Sequence, residues 1–576
     1  MWTPANSQGR ESLKIKWELV PYTRGRGLDI GCGNSKPFPH FIGIDSNFDA
    51  ITGNGPEATA RNLTGDGTTL PLFADESMDF VFSSHFLEHV EDYEKVLAEW
   101  WRVIKPHGYL ILYLPHKDFF PNIGTPGSNP DHKHDFLPSD IIEAVGRFAP
   151  NFDIVRNEDR NEEDEYSFFQ VFQKLPGKWK SDRKKQDRRE SYKNPKPAKT
   201  CAIMRYGAYG DVLQTASVLP GLKEQGYHVT WYCTPRGYEI IKSDPRIDAF
   251  VLQDDDQVPA NEIVNLLAHL ETKYDRVLNF CEAVEGTLLP SPTHATFYWN
   301  KFARHLVCNH NYVEVQHVMA GVAFNGNPEI KFYPTEEERA WALKQREKCP
   351  GPVIVWPLSG SAVHKVWPHV DAVVARIRLA VPTATVVFTG GAPEIGLAYP
   401  WRKDPRVWCK PGEWSIRQSL AFAQVADLVI GPETGVLNAV SMEEKPAKII
   451  FLSHSTMENL CRDWKQTIAF AAEAVPCYPC HQLHTSGFDF CTRHENGGAA
   501  CAVAIGPDVV WQAVKQVLGT MVAGPISDEF DAVTTVIDNN TPLADEDAPH
   551  KPLKLSDLAR ETREAQAAAT AEAITD

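Results

Sequence analysis

Short runs of β-branched and aliphatic residues alternate along this chain with helix-length amphipathic segments, the rhythm of βαβ units and parallel sheets. In the first third, Gly27-Leu28-Asp29-Ile30 runs into the glycine turn Gly31-Cys32-Gly33-Asn34, and Phe41-Ile42-Gly43-Ile44-Asp45 closes on a carboxylate. Gly65-Asp66-Gly67 puts an acid at a third strand end. Met78–Ser84 is a fourth strand, and Trp101–Leu112 reads as a helix end, a turn and a fifth strand. The pattern resumes at Thr200-Cys201-Ala202-Ile203-Met204-Arg205, and again at Val353–Trp356, Val386–Phe388 and Ala426–Ile430. No repeat at solenoid periods underlies it.

Two stretches break the rhythm. Lys178–Lys199 is rich in Lys and Arg and almost free of aliphatics, so it lacks the apolar surface to order itself. It reads as a solvated linker, with a basic arm for an anionic partner as the alternative. Beyond about Val522 the chain turns acidic and Pro/Thr/Asn-rich, then ends in an Ala/Glu/Arg segment, Leu555–Ile574, that reads as a loose helix or a disordered tail. These markers predict domains at 1–177, 200–340 and 341–522, joined by a linker at 178–199 and followed by a flexible tail at 523–576. A chain of 576 residues is in any case too long for one hydrophobic core.

Composition then narrows the class. With 43% hydrophobic and 23% charged residues the chain reads as an ordinary soluble globular protein. No stretch approaches the ~20 apolar residues of a membrane span. The N-terminus shows no basic region followed by an apolar run, which places the protein in the cytoplasm. The net charge of -17 repels phosphate backbones, so nucleic acid is not the default partner.

The chemistry of the first block lies at its strand ends. Glycines after the first strand allow a tight turn and close approach to a ligand, and a carboxylate at the end of the second can accept both ribose hydroxyls. In order and combination, these parts over residues 11–175 resemble the class I S-adenosylmethionine-dependent methyltransferases. That resemblance implies that Gly31 and Gly33 line the methionine part of the donor, Asp45 holds the ribose and Asp66 faces the adenine amino group. Asp29 would anchor the loop through backbone and ammonium contacts. A dinucleotide-binding domain is the alternative reading. His85, Glu88 and His89 follow the fourth strand, where such enzymes place acceptor-side groups, and His132 and His134 sit in a later loop. Each histidine reads first as a structural hydrogen-bonder. The His-x-His pair with flanking Asp suggests a metal, but no third ligand at a helpful spacing completes it. No Asn/Asp-Pro-Pro-aromatic tetrad follows the fourth strand, which argues against a base amine as acceptor.

The second block opens with Arg205-Tyr206-Gly207-Ala208-Tyr209-Gly210-Asp211-Val212-Leu213-Gln214-Thr215. Asp211 falls at the start of a helix, where the dipole stabilises an anion and a plain N-terminal cap is the bland reading. The motif resembles the start of the heptosyltransferases, glycosyltransferase family nine, over about residues 198–522. That resemblance implies two facing Rossmann-like domains (the GT-B arrangement) after the Rossmann-like methyltransferase domain, an α/β chain throughout. It implies a nucleotide-diphosphate sugar as donor, Asp211 as the general base and Lys365 on the diphosphate. Glu433-Thr434-Gly435 stands where the family has Asp-Thr-Gly at a helix opening, and Asn438 stands for the family's His; both departures bear on donor identity.

Cys477, Cys480, Cys491 and Cys501 form a loose cluster with His481, His484 and His494 interspersed. It is a pattern for a structural zinc or an iron–sulfur centre, with free or disulfide-prone thiols as the alternative. The leading expectation is a bifunctional enzyme that attaches a sugar and methylates a glycan or small acceptor. The alternatives are a nucleic-acid or nucleotide modification enzyme, and a methyltransferase on a degenerate, binding-only glycosyltransferase scaffold.

Overall fold

In the computed structural model the described residues are 11–33, 35–46, 62–149, 151–162, 164–176, 199–483, 491, 494–495 and 498–522. The basic segment, apart from Lys199, and the tail beyond 522 lie outside them.

Seven strands make the first sheet: β1 (Gly27–Ile30), β2 (Ile42–Asp45), β3 (Leu63–Thr64), β4 (Met78–Ser84), β5 (Ile104–Pro115), β6 (Phe152–Arg160) and β7 (Ser167–Lys174). Their order is β3-β2-β1-β4-β5-β7-β6. The first five run parallel, whereas β7 is antiparallel to both β5 and β6. That inserted antiparallel strand separates the sheet from the all-parallel dinucleotide-binding order. The turn expected before the fifth strand is a bulge inside it. Ile104 already pairs with Met78, the register shifts, and pairing resumes at Phe80 with Tyr109. His107, at φ 67°, sits within that bulge.

The second sheet holds β8 (Thr200–Met204), β9 (His228–Cys233), β10 (Ala249–Leu252) and β11 (Arg276–Asn279) in the order β10-β9-β8-β11, all parallel. The third is a parallel sheet of β12 (Val353–Pro357), β13 (Thr385–Thr389), β14 (Val407–Cys409), β15 (Leu428–Pro432), β16 (Ala447–Phe451) and β17 (Thr467–Phe470), ordered β14-β13-β12-β15-β16-β17. Central strands such as Val353-Ile354-Val355-Trp356 are fully buried, as expected of parallel sheets covered on both faces. In all three sheets the order reverses beside the first strand, so a crevice opens at its carboxyl end, where α/β proteins bind ligands.

The first two sheets share one apolar core. Phe80, Phe82, Ile111, Phe169 and Val171 from one face of the first sheet pack with Ile15, Leu19 and Val20. The same cluster continues into Ala202, Met204, Tyr232, Leu266 and Leu270 of the second. Polar ties fix the register of this joint. Gln257 Nε2 donates to Val20 O at 2.7 Å, Arg24 pairs with Asp254 at 3.0 Å, and Lys16 pairs with Glu262. Among the described residues no helix is long and apolar enough to cross a membrane.

Candidate active sites

The turn after β1 is shaped by what glycine omits. A Cβ on Gly31, at φ 74°, would stand 2.6 Å from the Phe86 ring, so both the backbone conformation and the space require glycine. Gly33, at φ 52°, faces open space instead, and its N–H donates to Asp45 Oδ2 at 2.8 Å. Asp45, at the end of β2, thus closes the loop with one oxygen. Asp29 is buried inside β1, and burial together with the Asp45 charge holds its carboxyl well above the usual range, against the pull of Lys36. Lys36 is itself tied to Phe41 O at 2.8 Å and Asn62 Oδ1 at 2.7 Å. Asp66 accepts the Thr68 N–H at 3.0 Å beyond β3, and the adjoining Gly67 O receives Trp100 Nε1 at 2.8 Å. Gly31, Gly33, Asp45 and Asp66 therefore border the carboxyl ends of β1, β2 and β3, with Asp29 beneath them.

The end of β4 is different in character. His85 adopts φ 49°, and its Nε2 meets Ser167 Oγ at 2.9 Å. Glu88, 1% exposed, lies in the short helix Leu87–His89. Burial pushes its carboxyl up to about 8 and the His85 imidazole down to about 3. His132 stacks edge-on against His89, and burial lowers it to about 4. His134 is turned elsewhere, with Nε2 3.2 Å from Glu91 O and its ring stacked on Phe136. The His-x-His pair itself gains no third ligand among the described residues, but His132 alone joins a different group. Among the described residues, Glu88, His89 and His132 have ligand atoms within 4.8 Å of one another, and His134 is not one of them.

Between the second and third sheets lies a cleft of about 680 Å³. On one wall, Asp211 stands in the first turn of the helix Tyr209–Ala216 that follows β8. Its Oδ2 accepts the Ala208 N–H at 3.1 Å, while 28% of the side chain still meets the cleft. Burial raises its carboxyl to about 6, helped by the Glu285 charge and opposed by Arg205 and Lys365. Arg205, 1% exposed, forks onto both oxygens of Glu285 at 2.9 and 3.0 Å and reaches within 3.6 Å of Asp211. The Glu285 partnership, which joins the end of β8 to the segment after β11, was not legible in the sequence.

On the facing wall, Lys365 is 9% exposed, with Nζ 3.4 Å from Glu433 O and 3.8 Å from Glu433 Oε2. Glu433 accepts from Ser453 N at 2.9 Å and sits 3.1 Å from His454 Nδ1. Thr434 caps the helix Gly435–Val440 by accepting from Leu437 N at 3.4 Å. That helix end meets the Asp211 helix directly. A Cβ on Gly435 would lie 2.7 Å from Tyr209 Cβ, one on Gly210 would lie 2.8 Å from Asn438 Nδ2, and Gln214 Nε2 donates to Asn438 Oδ1 at 2.9 Å. Asn438, singled out as a departure from the family pattern, is thus a bridge between the two walls.

Cys477, Cys480, Cys491 and Cys501 line one cavity of about 70 Å³ together with His364 and His454. None of the four is disulfide-bonded, and burial pushes Cys480 and Cys501 up to about 12. Their sulfurs converge on the cavity without reaching the mutual spacing found at Glu88, His89 and His132. His481 pairs with His305 at 2.9 Å, whereas His484 lies outside the described residues.

Comparison with known proteins bears on the first of these sites. The family model described as a methyltransferase domain matches residues 28–112. That methyltransferase-domain match runs from β1 through most of β5 of the first sheet. An uncharacterized protein of Methanocaldococcus jannaschii is 33% identical over 100 residues, which is 17% of this chain and 48% of that protein; the chain spans about half the length of the curated relative it matches. Among solved structures, a glycosyl transferase family 9 protein from Veillonella parvula is similar with TM-score 0.41 and 14% identity, covering 56% of this chain and 98% of that one. The ADP-heptose heptosyltransferase II of E. coli gives TM-score 0.37 and 12% identity over 56% of this chain and 99% of that one. A SAM dependent methyltransferase from Aquifex aeolicus gives TM-score 0.23 and 17% identity over 29% and 94%.

Proposed function

We propose that this chain is a two-module transferase: an S-adenosylmethionine-dependent methyltransferase built on the first sheet, and an inverting, nucleotide-sugar-using glycosyltransferase built on the second and third. The observation that carries the second half is the placement of Asp211 and Lys365 on opposite walls of one cleft. Asp211 removes the proton of an acceptor hydroxyl, and the oxygen attacks the anomeric carbon. The bond from that carbon to the nucleotide diphosphate then breaks, and the Lys365 ammonium offsets the charge left on the diphosphate. Arg205 and Glu285 act through Asp211: they hold its carboxylate beside a buried cation while keeping its proton affinity near neutral pH. Glu433, Thr434 and Gly435 form the donor-side wall.

In the methyltransferase module, Gly31 and Gly33 cradle the methionine end of the donor, Asp45 holds the ribose and Asp66 addresses the adenine. Asp29 supports the turn from below. The acceptor, a glycan or small molecule, stands at the end of β4. The four cysteines form a structural zinc site. Burial raises the Cys480 and Cys501 thiols, so a bound cation is what would hold them as thiolates, and all four cysteines line the same cavity.

Thermal shift of the full chain tests both halves without an acceptor, because a ligand that binds only the folded state raises the melting temperature. S-adenosylmethionine and a panel of ADP-, UDP-, GDP- and CDP-sugars are compared on wild type, Asp45→Ala and Lys365→Ala. The reading expects each variant to lose one ligand class and keep the other. Failure of every nucleotide sugar to shift the wild type would remove the glycosyltransferase half.

A further inference from the structure

The end of β4 carries a buried group that donor binding does not use. Neither oxygen of Glu88 has a hydrogen-bond partner, although the side chain is 1% exposed. A buried carboxylate is costly unless it is paired or bound to a metal, so an orphaned one calls for an explanation. Around one of its oxygens, Oε1, stand His85 Nδ1 at 3.9 Å, His89 Nε2 at 3.8 Å and His132 Nε2 at 3.9 Å. These separations are too long for hydrogen bonds. Among the described residues no Lys or Arg ion pair reaches this carboxylate; besides the three imidazoles, its charged neighbour is the Glu11 carboxylate, a like charge.

We propose that Glu88, His89 and His132 form a divalent-cation site on the acceptor side of the methyl-donor pocket, with an open coordination position for an oxygen of the acceptor. A tetrahedral cation with bonds of about 2.1 Å holds its ligand atoms about 3.4 Å apart, so the three side chains need only draw in slightly. Three protein ligands leave a fourth position free, as in catalytic rather than structural sites. Two imidazoles and a carboxylate suit zinc, iron or manganese. The supporting shell is present as well. Glu88 O accepts from Lys133 N at 2.7 Å and His134 N at 3.3 Å. Main-chain bonds thus clamp the 131–134 loop onto the Glu88 helix, and the ligands from the two segments are held in place by the fold.

The position relative to the donor follows from Phe86. Its ring fills the space that a Cβ on Gly31 would need and lies against Gly67, so it stands between the glycine turn and the Glu88 helix. A cation there lies next to the donor pocket without entering it. A hydroxyl bound to it would lose its proton more readily and attack the sulfonium methyl as an alkoxide. The carbon–sulfur bond breaks, the carbon–oxygen bond forms, and the proton passes to solvent. This use of the site rests on the methyl-transfer reading; the cation site itself does not.

Co2+ added to the full chain after chelator treatment separates this site from the cysteine cavity by spectrum. Thiolates give an intense near-ultraviolet charge-transfer band, whereas nitrogen and oxygen ligands give weak visible bands alone. We expect one equivalent with weak visible bands in wild type, and at least a tenfold loss of that affinity in Glu88→Gln and in His132→Gln. Both variants should keep their wild-type melting curve shape and their thermal shift with S-adenosylhomocysteine. Wild-type affinity and spectrum in Glu88→Gln, or a wild-type spectrum made of thiolate bands alone, would overturn the proposal. If S-adenosylhomocysteine shifts no protein while the Glu88-dependent bands persist, the methyl-transfer reading fails and the cation site stands.

Discussion

Replacing Asp211 by Asn removes the ionised form of one buried carboxyl and little else. The amide oxygen still accepts the Ala208 N–H, and the shape of the side chain is kept. An aspartate titrates near 3.8 when unfolded and at about 6 here, mainly through burial and the Glu285 charge. The native state therefore binds the proton more tightly than the unfolded state. Stability is greatest below pH ~3.8, falls as pH rises toward about 6, and stays reduced above that. At about 1.4 kcal/mol per tenfold in proton affinity, ionised Asp211 costs the fold about 3 kcal/mol at neutral pH. Asp211→Asn recovers that amount. Spread over a cooperative unit on the order of 500 residues, it is a rise on the order of 3 °C in melting temperature. Thermal scans of both proteins between about pH 4 and pH 8 should show a small part of the gap at the acid end and the full gap at the alkaline end. Glycosyl transfer should fall by about 10²–10⁴ in the same variant, while the wild-type rate climbs with pH through about 6 to a plateau. A variant no more stable than wild type at pH ~8, or a gap equal at both ends, would refute the claim that the cleft holds this carboxylate at a cost.

Gly435→Ala should destabilise by about 1–3 kcal/mol, because the new Cβ meets Tyr209 Cβ at 2.7 Å and neither helix end can yield freely; a melting temperature equal to wild type would show the two walls to be less closely docked. Gln257→Ala leaves Val20 O and the Thr23 hydroxyl without their partner at the joint of the first two sheets, a loss of about 1–3 kcal/mol readable by urea denaturation. Residues 1–177 expressed alone should aggregate, since Phe82, Ile111 and Val171 share their core with Met204 and Leu266; a monomeric, cooperatively melting fragment on gel filtration would contradict the shared core. Cys480→Ser with Cys501→Ser should abolish zinc retention through dialysis, measured by metal analysis, and retention at the wild-type level would remove the cysteine site.

The parts of the fold that were legible in the sequence are those set by neighbours along the chain. The apolar runs at β1, β2, β4 and β8 and the glycine turn after β1 depend on local periodicity and on which residues tolerate positive φ, so they could be placed to within a residue or two. Asp211 was legible as a helix-start acid for the same reason, and the structure shows that capping and cleft exposure coexist: one oxygen takes the Ala208 N–H while part of the side chain still meets the cleft. What was not legible depends on distant segments meeting. A charged segment between two blocks suggests independent domains, yet the aromatic face of the first sheet is completed by the second. Gly435 reads in sequence as part of a helix opening, but its missing Cβ is also what lets Tyr209 approach.

The histidines show the limit most clearly. Residues two apart share a face only in a regular strand, and the 131–134 segment is not one, so the spacing of His132 and His134 does not bring their rings together. His134 accordingly bonds to Glu91 O, and His132 turns inward to Glu88. The partner of His132 is a Glu-His pair more than forty residues earlier, brought near because the 131–134 loop lies over the end of β4 and hydrogen-bonds Glu88 O. Spacing rules for metal ligands work where one helix or hairpin carries the ligands. Here two segments supply them, and the element that unites them is the parallel sheet, whose pairing cannot be read from either segment alone.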